Sequence, residues 1–280
     1  MPIPYLRRAL PWVVATLAAA ACVPAGAEEK PLWEFGLGAG LLVFNDYRGA
    51  ATTHAYPVPL PYFQYRGTFL KSDRDGLRGL FLDQDRVELS LSVSATAPVR
   101  NDSARHGMPD LRSTVEIGPR LNVHLWRSEG RRVKLDLRLP VRAAFTLEAV
   151  PHLVGVFAEP HVSLDLAQFS GDDGWKLGLL AGPLFANTRY NEYFYTVAPQ
   201  YATADRPAYT ARGGYAGDQA LLSLTRRYPH FWIGAYARHD WLGGASFASS
   251  PLVKRDSYWS AGFGVAWIIR QSSQLVASED

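Results

Sequence analysis

One segment of the sequence carries the side chains best suited to chemistry, Glu159-x-His161-x-Ser163-x-Asp165. Carboxylate, imidazole and hydroxyl groups are those of a serine hydrolase, in which the base must lie within hydrogen-bonding reach of the nucleophile. Side chains two residues apart on a strand lie about 7 Å apart on one face, so this spacing does not place a base on the hydroxyl. We therefore favour pairing of these groups with basic residues on neighbouring strands. A transport or binding role and catalysis are the weaker alternatives.

Other motifs of catalysis and ligand binding are missing from the sequence. It has no G-x-S-x-G motif, no H-E-x-x-H motif and no phosphate-binding glycine loop. The seven histidines are scattered, and the acidic segment 71–86 lacks the spacing and the terminal glutamate of an EF-hand. The sequence thus predicts no catalytic residue, no cofactor-binding residue and no metal ligand, and we expect a protein that is not an enzyme.

The elements that must position these side chains are long strands of alternating character. In residues 257–267, SYWSAGFGVAW, bulky apolar residues such as Trp259 and Phe263 alternate with small or polar residues such as Ser260 and Gly262. A period of two is typical of a strand whose two faces contact different solvents. The same pattern predicts ten strands, at 33–44, 57–66, 86–97, 114–125, 133–145, 154–165, 174–186, 215–227, 230–241 and 257–269.

The lengths of these segments and of their connections indicate strands that cross a membrane. Segments of about 10–14 residues exceed the usual soluble strand and suffice for a tilted membrane strand. Aromatic residues concentrate at the segment ends, and short turns alternate with the longer connections 45–56, 98–112, 187–213 and 242–256. We predict an all-β fold, an antiparallel transmembrane β-barrel of the outer-membrane type with an even number of about ten to twelve strands. A hairpin within 67–85 would supply the last two, and a soluble β-sandwich or lipocalin-like barrel is the alternative fold.

The polar face of three successive predicted strands is rich in charges. In an outer-membrane barrel this face points into the lumen, where opposite charges on neighbouring strands can pair and fill the interior. The candidate lumen-lining residues are Glu116, Arg120, Lys134, Asp136, Arg138, Arg142, Glu159, His161 and Asp165.

The connection 187–213 is unusually rich in tyrosine. Tyrosine rings give large contact areas at a small entropic cost, so an exposed loop of this composition would make a good contact surface. The equally favoured alternative is an extended strand end at the membrane boundary. The candidate contact residues are Tyr190, Tyr193, Tyr195, Tyr201 and Tyr209.

The beginning of the chain predicts export. Arg7 and Arg8 precede an apolar stretch, and 25–27 (AGA) is a small-x-small cleavage site, so we expect 1–27 to be a signal peptide. Lipoprotein cleavage before Cys22 is the weaker alternative. The barrel would then occupy 28–270 and a tail 271–280. Cleavage after 27 would lower the net charge from +3 to +1 and, without a basic block, nothing suggests a nucleic-acid partner.

Three short motifs carry a resemblance to a known family. They are 56–61 (YPVPLP), 191–199 (NEYFYTVAP) and 250–253 (SPLV), and their order and spacing extend over about 33–269. In these motifs the chain resembles the MipA/OmpV family of Gram-negative outer-membrane proteins. It departs from the family at Tyr195-Thr196, where the family has Tyr-Gly, and in the residues that follow the last strand.

The resemblance implies a non-enzymatic protein of the outer membrane, in contact with its lipid and lipopolysaccharide. The family member that gives the family its name is associated with a scaffold joining a lytic murein transglycosylase to a murein synthase. Other members are associated with adhesion, osmotic response or antibiotic susceptibility. A scaffold is therefore our first expectation, and a narrow channel for small solutes or an adhesin acting through its outer loops is the alternative.

Overall fold

The structure is a computed structural model that describes residues 28–67, 70–73, 76–130, 132–167 and 174–278. The predicted signal peptide, 1–27, lies outside the described residues. Within them, no helix is long and apolar enough to cross a membrane.

The described chain is built almost entirely of strands joined by turns and four longer loops. One helix, α1, covers Thr188–Tyr195. The strands are β1 (Glu28–Pro31), β2 (Trp33–Asn45), β3 (Thr53–Arg66), β4 (Leu70–Asp73), β5 (Gly76–Asp83), β6 (Val87–Thr96), β7 (Thr114–Arg127), β8 (Val133–Thr146), β9 (Leu153–Ala158), β10 (His161–Leu166), β11 (Lys176–Ala186), β12 (Gly214–Arg227), β13 (Phe231–Trp241), β14 (Ser257–Gln271) and β15 (Leu275–Ser278).

The strands from β2 to β14 form one antiparallel sheet that closes on itself. Apart from β9 and β10, each strand pairs with the next in chain order, and β14 pairs back with β2. Strands β9 and β10 both lie between β8 and β11, so they are two halves of one interrupted strand. In the described part of the chain the barrel thus has twelve strand positions, and the predicted hairpin appears as β4 and β5. The prediction of an antiparallel β-barrel with an even strand count is confirmed.

The two faces of the strands differ as the alternation predicts. On β14, Trp259 and Trp267 are 66% and 60% exposed, whereas Ser260 and Ala266 on the other face are buried. Apolar rings on the outside and small or polar groups inside are typical of a barrel surrounded by lipid. The outer face of the sheet is therefore the apolar one, the reverse of a soluble barrel.

Prolines mark irregularities in the ladder. The interrupted strand breaks at Pro160, between β9 and β10, and the register of β11 against β12 shifts next to Pro183. Because proline has no N–H to donate, a strand tolerates it best at a break or a bulge.

Strand β3 has an edge that the sequence protects. Its ladder with β2 continues past Pro57, Pro59 and Pro61, so the nitrogens of these residues point away from β2. On that other side, among the described residues, β4 pairs with β3 at Tyr65 and Arg66 only. Three successive donors are thus missing from a largely unpaired edge, which disfavours the addition of a foreign strand.

The first and the last described strands meet outside the barrel sheet. Strand β1 pairs with β15 in a separate two-stranded ribbon, with Glu28 opposite Ser278 and Pro31 opposite Leu275. The segment that we predicted as a tail therefore contributes a strand to this ribbon, and the barrel itself begins at Trp33.

Candidate functional site

The structure places all nine predicted lumen charges on β7, β8 and the two segments around Pro160, which are neighbours in the sheet. Glu116, Arg120, Asp136, Arg138 and His161 are buried. The other four, Lys134, Arg142, Glu159 and Asp165, are half-buried.

Ion pairs across the strands hold many of these charges. Arg138 Nη2 lies 3.1 Å from Asp165 Oδ2, and Asp165 is also the register partner of Lys134. Asp136 Oδ1 lies 2.9 Å from His124 Nδ1 and 2.7 Å from Arg127 Nη1. Such cross-strand pairs of opposite charge tie three adjacent strands together on the inner face.

A second group joins the strands to the loops. Arg142 pairs with the Glu159 carboxylate and donates through Nε to Ser92 Oγ at 2.8 Å. Glu116 accepts hydrogen bonds from Ser94 Oγ at 2.5 Å and from Tyr190 Oη at 3.3 Å. Since Tyr190 lies on α1, the polar interior of the barrel is connected directly to the loop structure above it.

The same contacts show how the side chains of the hydrolase-like segment, residues 159–165, are paired. Glu159 binds Arg142, Asp165 binds Arg138, and His161 Nδ1 lies 2.6 Å from the backbone carbonyl oxygen of Glu159. Ser163 is buried on the same strand face. The described contacts of the acids and the imidazole are those of a filled interior, and none of them joins a base to the Ser163 hydroxyl.

Two further charge clusters were missed by sequence reasoning. The carboxylate of Glu34, which is 0% exposed, lies 3.3 Å from Arg66 Nη1 and 3.0 Å from Arg227 Nη2. At the opposite end, Asp240 Oδ1 lies 3.0 Å from Arg48 Nε and 2.7 Å from Arg238 Nη2. Glu34 and Arg227 are nearly two hundred residues apart in the chain, and only the closure of the barrel brings them together.

The four long loops pack into one cap over one end of the barrel. We define the cap as residues 46–52, 97–113, 187–213 and 242–256. Its centre is a stack of Tyr195 on Phe247, with ring centroids 3.7 Å apart and planes 6° apart. The buried apolar residues of the cap and the adjoining strand ends are Tyr47, Ala50, Val99, Leu111, Ala144, Val154, Phe157, Leu184, Ala186, Phe194, Tyr195, Val197, Ala211, Ala216, Leu242, Ala245, Phe247, Leu252 and Tyr258.

Buried arginines join the loops of the cap to one another. Arg105 donates through Nη1 to the carbonyl oxygen of Phe194 at 2.9 Å. Arg206 donates through Nη1 to the carbonyl oxygens of Ala104 and His106, both at 2.9 Å. Hydrogen bonds from a charged donor to backbone oxygens of another loop fix that loop's position as well as its fold.

The five predicted contact tyrosines belong to this packing. Tyr190, Tyr193 and Tyr195 lie on α1, which begins after Asn187, whose Oδ1 accepts from the N–H of Tyr190 at 2.9 Å. These three tyrosines therefore lie neither on an extended strand end nor in a freely exposed loop. They lie on a helix, which is stabilised because its apolar side chains are buried against the end of the barrel. Tyr201 and Tyr209 are half-buried against the same core.

Burial of α1 perturbs its tyrosines. Removal from water disfavours the phenolate, so burial raises the pKa of Tyr190 and of Tyr195 above the ordinary value of 10.0. The Tyr195 hydroxyl donates to the carbonyl oxygen of Arg48 at 3.0 Å, and the carbonyl oxygen of Tyr195 accepts from Ser250 Oγ at 2.7 Å. Tyr195 therefore joins its own loop to two of the other three cap loops.

Metal chemistry finds little support in the described part of the chain. There, no three His, Cys, Asp or Glu side chains converge as a group that could hold a metal ion. The arrangement as a whole is a barrel with a paired polar interior and a packed cap over one end.

Comparisons with known proteins point to one family. The family model described as MltA-interacting protein MipA matches residues 37–269. Outer membrane protein OmpV of Vibrio cholerae serotype O1 is 26% identical over 213 residues, which are 73% of this chain and 76% of that protein.

Solved structures give only distant likenesses. Outer membrane phospholipase A from Escherichia coli has a TM-score of 0.34 at 12% identity, with 85% of this chain and 94% of that chain covered. The toluene transporter TodX of P. putida has a TM-score of 0.28 at 12% identity, with 90% and 69% covered. Scores this low do not establish a common fold or a common activity.

Proposed function

The chain belongs to the family of MltA-interacting protein MipA and is an outer-membrane β-barrel protein, and from this premise we propose that it is a non-enzymatic scaffold that holds murein-modifying enzymes at the outer membrane. The partners proposed are a lytic murein transglycosylase, of which MltA is one, and a murein synthase. The segment 1–27 is proposed as the signal that exports the chain.

The packed cap is the observation that favours an interaction protein over a channel. Four loops share one apolar core across one end of the barrel, and arginines bind them to each other. Below the cap, ion pairs such as Arg138–Asp165 and Arg142–Glu159 occupy the interior. Solute passage would require opening both layers, whereas a scaffold needs only a stable barrel with accessible surfaces.

The same contacts support a protein without catalysis. A general base or nucleophile must be available to a substrate. In the segment most suited to hydrolysis, both carboxylates are engaged by arginines, and His161 contacts a backbone oxygen. We therefore propose that these charges hold the barrel together.

The surface proposed for the murein enzymes is the end of the barrel opposite the cap. In barrels of this type short turns lie in the periplasm and long loops lie outside the cell. Among the described residues, the short connections at this end include 84–86, 128–130 and 228–230, and the ribbon of β1 and β15 lies at the same end. The apolar outer face of the strands would contact lipid, and the rim around the cap would contact lipopolysaccharide.

Site-specific photo-crosslinking in cells tests this proposal. A photoreactive residue is placed at Glu129 or Pro229, which are exposed in two short turns. Matched controls carry it at Arg189 or Arg255, which are exposed in the cap. We expect a lytic transglycosylase to be crosslinked from the turns and not from the cap. Equal crosslinking from both ends, or none from the turns, would contradict the proposed scaffold.

A further inference from the structure

A positive charge lies on the outer face of the barrel near the end of β12. Arg227 points inward, where it pairs with the Glu34 carboxylate. Its neighbour Arg226 therefore points outward, because successive side chains of a strand point to opposite faces. The short turn 228–230 follows directly, so Arg226 lies where the apolar outer face meets the solvent at the end opposite the cap. An ionisable side chain at the edge of the hydrocarbon region marks a candidate functional site.

Two aromatic rings contact the guanidinium of Arg226. Its Cζ atom lies 4.6 Å from the centroid of the Tyr228 ring and 5.8 Å from that of the Trp175 ring. Tyr228 is itself stacked on Phe231, with ring centroids 4.3 Å apart and planes 17° apart. A cation within about 6 Å of an aromatic ring centroid is attracted by the quadrupole of the ring. The rings therefore give the guanidinium a fixed place at the rim.

The hydrogen-bond donors of Arg226 have no acceptor among the described residues that would neutralise the charge. Its Nε is buried and donates to no described residue, and no described carboxylate forms an ion pair with it. On the inner face, by contrast, Arg227 Nε donates to Glu34 at 3.0 Å. An arginine that only extends into water keeps its head group hydrated, which a buried Nε is not. Since buried donors are nearly always satisfied, this atom points to an acceptor from outside the protein.

A shallow apolar groove leads along the outer face from this arginine. Its register partner on β13 is Ile233, and the next outward residues of β13 are Ala235 and Ala237. The residues paired with Ala235 on either side, Leu224 and Phe263, are much larger. Small side chains between large ones leave a groove, which extends over about 13 Å at about 3.3 Å per residue. Its shape and apolar lining suit a hydrocarbon chain.

We propose that Arg226, Tyr228 and Trp175 bind the phosphate group of a membrane phospholipid whose acyl chain lies over Ala235 and Ala237. A planar guanidinium can donate two parallel hydrogen bonds to phosphate oxygens, and such charged pairs are stronger than neutral ones. A lipid, unlike free phosphate, also covers the apolar groove. An anionic phospholipid fits best, because its negative charge neutralises the positive charge of the arginine. The site goes beyond the proposed scaffold and requires no murein enzyme.

Native mass spectrometry with phosphatidylglycerol tests the site. The full mature chain is folded in detergent without lipid, and phosphatidylglycerol is added in increasing amounts. Arg226→Gln removes the charge and keeps a long polar side chain. Arg270→Gln is the matched control, because Arg270 is an exposed arginine at the same end of β14, paired in register with the outward Phe35. Among the described residues, no aromatic ring lies over its guanidinium.

We expect one tightly bound phosphatidylglycerol per chain in the wild type and in Arg270→Gln. Binding to Arg226→Gln should be weaker by about tenfold or more, because a charged hydrogen-bonded pair is lost. Equal affinity of Arg226→Gln and the wild type would overturn the proposal. An equal loss in both variants would also overturn it, since the rim charges would then attract lipid only in general. Displacement of the lipid by excess inorganic phosphate would do the same, because a free anion would then be the ligand.

A photoreactive acyl chain provides a second test on the wild type alone, should Arg226→Gln fail to fold. Phosphatidylglycerol with a diazirine in its acyl chain is added at less than one molecule per chain and irradiated. We expect the label to concentrate on residues 233–237. Label spread evenly over the outward residues of all the strands would show that the lipid has no preferred place, and the proposal would be wrong.

Discussion

Replacing Tyr195 by alanine should release the cap while leaving the barrel folded. Tyr195 is 3% exposed, stacks on Phe247 and donates to the carbonyl oxygen of Arg48. Truncation of a buried aromatic ring to alanine costs about 3–5 kcal/mol. Taking about 3 kcal/mol, the population of the opened cap should rise by roughly 100-fold, since about 1.4 kcal/mol is a factor of ten.

Limited proteolysis measures this opening. Arg189 in the first turn of α1 and Arg212 beyond the end of α1 are exposed, and a trypsin-like protease can cleave there once the helix separates from the barrel. When opening is fast relative to cleavage, the cleavage rate follows the equilibrium population of the open form. Tyr195→Ala should therefore be cleaved roughly 100-fold faster than the wild type while the barrel keeps its resistance to unfolding.

The matched control is Tyr195→Phe, which keeps the stacked ring and loses only the hydroxyl. The loss of one hydrogen bond costs about 1 kcal/mol, which corresponds to roughly fivefold faster cleavage. If Tyr195→Ala and Tyr195→Phe are cleaved at similar rates, or if the alanine variant is cleaved as slowly as the wild type, the apolar stack does not hold the cap.

Three further predictions follow from the interior, the outer face and the buried tyrosines. Glu34→Ala should destabilise the barrel by about 3–5 kcal/mol, because it leaves the buried charge of Arg66 without its carboxylate partner and removes the partner of the half-buried Arg227. Urea unfolding checks this, and a change below about 1 kcal/mol would contradict it. Phe263→Arg puts a charge on the apolar face near the middle of β14 and should lower the free energy of unfolding in lipid vesicles by about 2–4 kcal/mol. An unchanged folding yield and stability would argue against a lipid-facing strand. Burial keeps the phenol protons on Tyr190 and Tyr195, whereas these tyrosines lose their protons near pH 10 when the cap is open. Above about pH 10 the open form therefore binds fewer protons than the closed form, and the stability of the cap should fall as the pH rises. Tyrosinate absorbance that shows all tyrosines of the native protein ionising near pH 10 would refute this.

The strands could be predicted because their signal is local. Alternation along 257–267 identifies β14 and its apolar face without knowledge of any neighbour, and the same holds for β7 and β8. The prediction of one continuous strand over 154–165 was wrong, because Pro160 divides it into β9 and β10, and the alternation could not show that the two halves would stay in line between the same two neighbours.

The charge clusters and the cap could not be predicted in the same way. The contacts of Glu34 with Arg66 and Arg227 depend on the closure of the barrel and on strand register, which no local pattern encodes. Helix α1 has only eight residues and an unremarkable propensity, so an isolated segment of this length would not be helical. It forms because Phe194 and Tyr195 are buried against loops from distant parts of the chain.

The proposed function rests on a barrel whose outer end is closed, and conductance in planar bilayers tests that most directly. Purified wild-type barrels should show no steady conductance, and deletion of residues 188–212, which removes α1 and the rest of its loop from the cap, should produce one. A steady conductance of the wild type that changes in Arg138→Ala or Arg142→Ala would show that ions pass along the charged interior. That result would contradict the closed scaffold and establish a narrow channel.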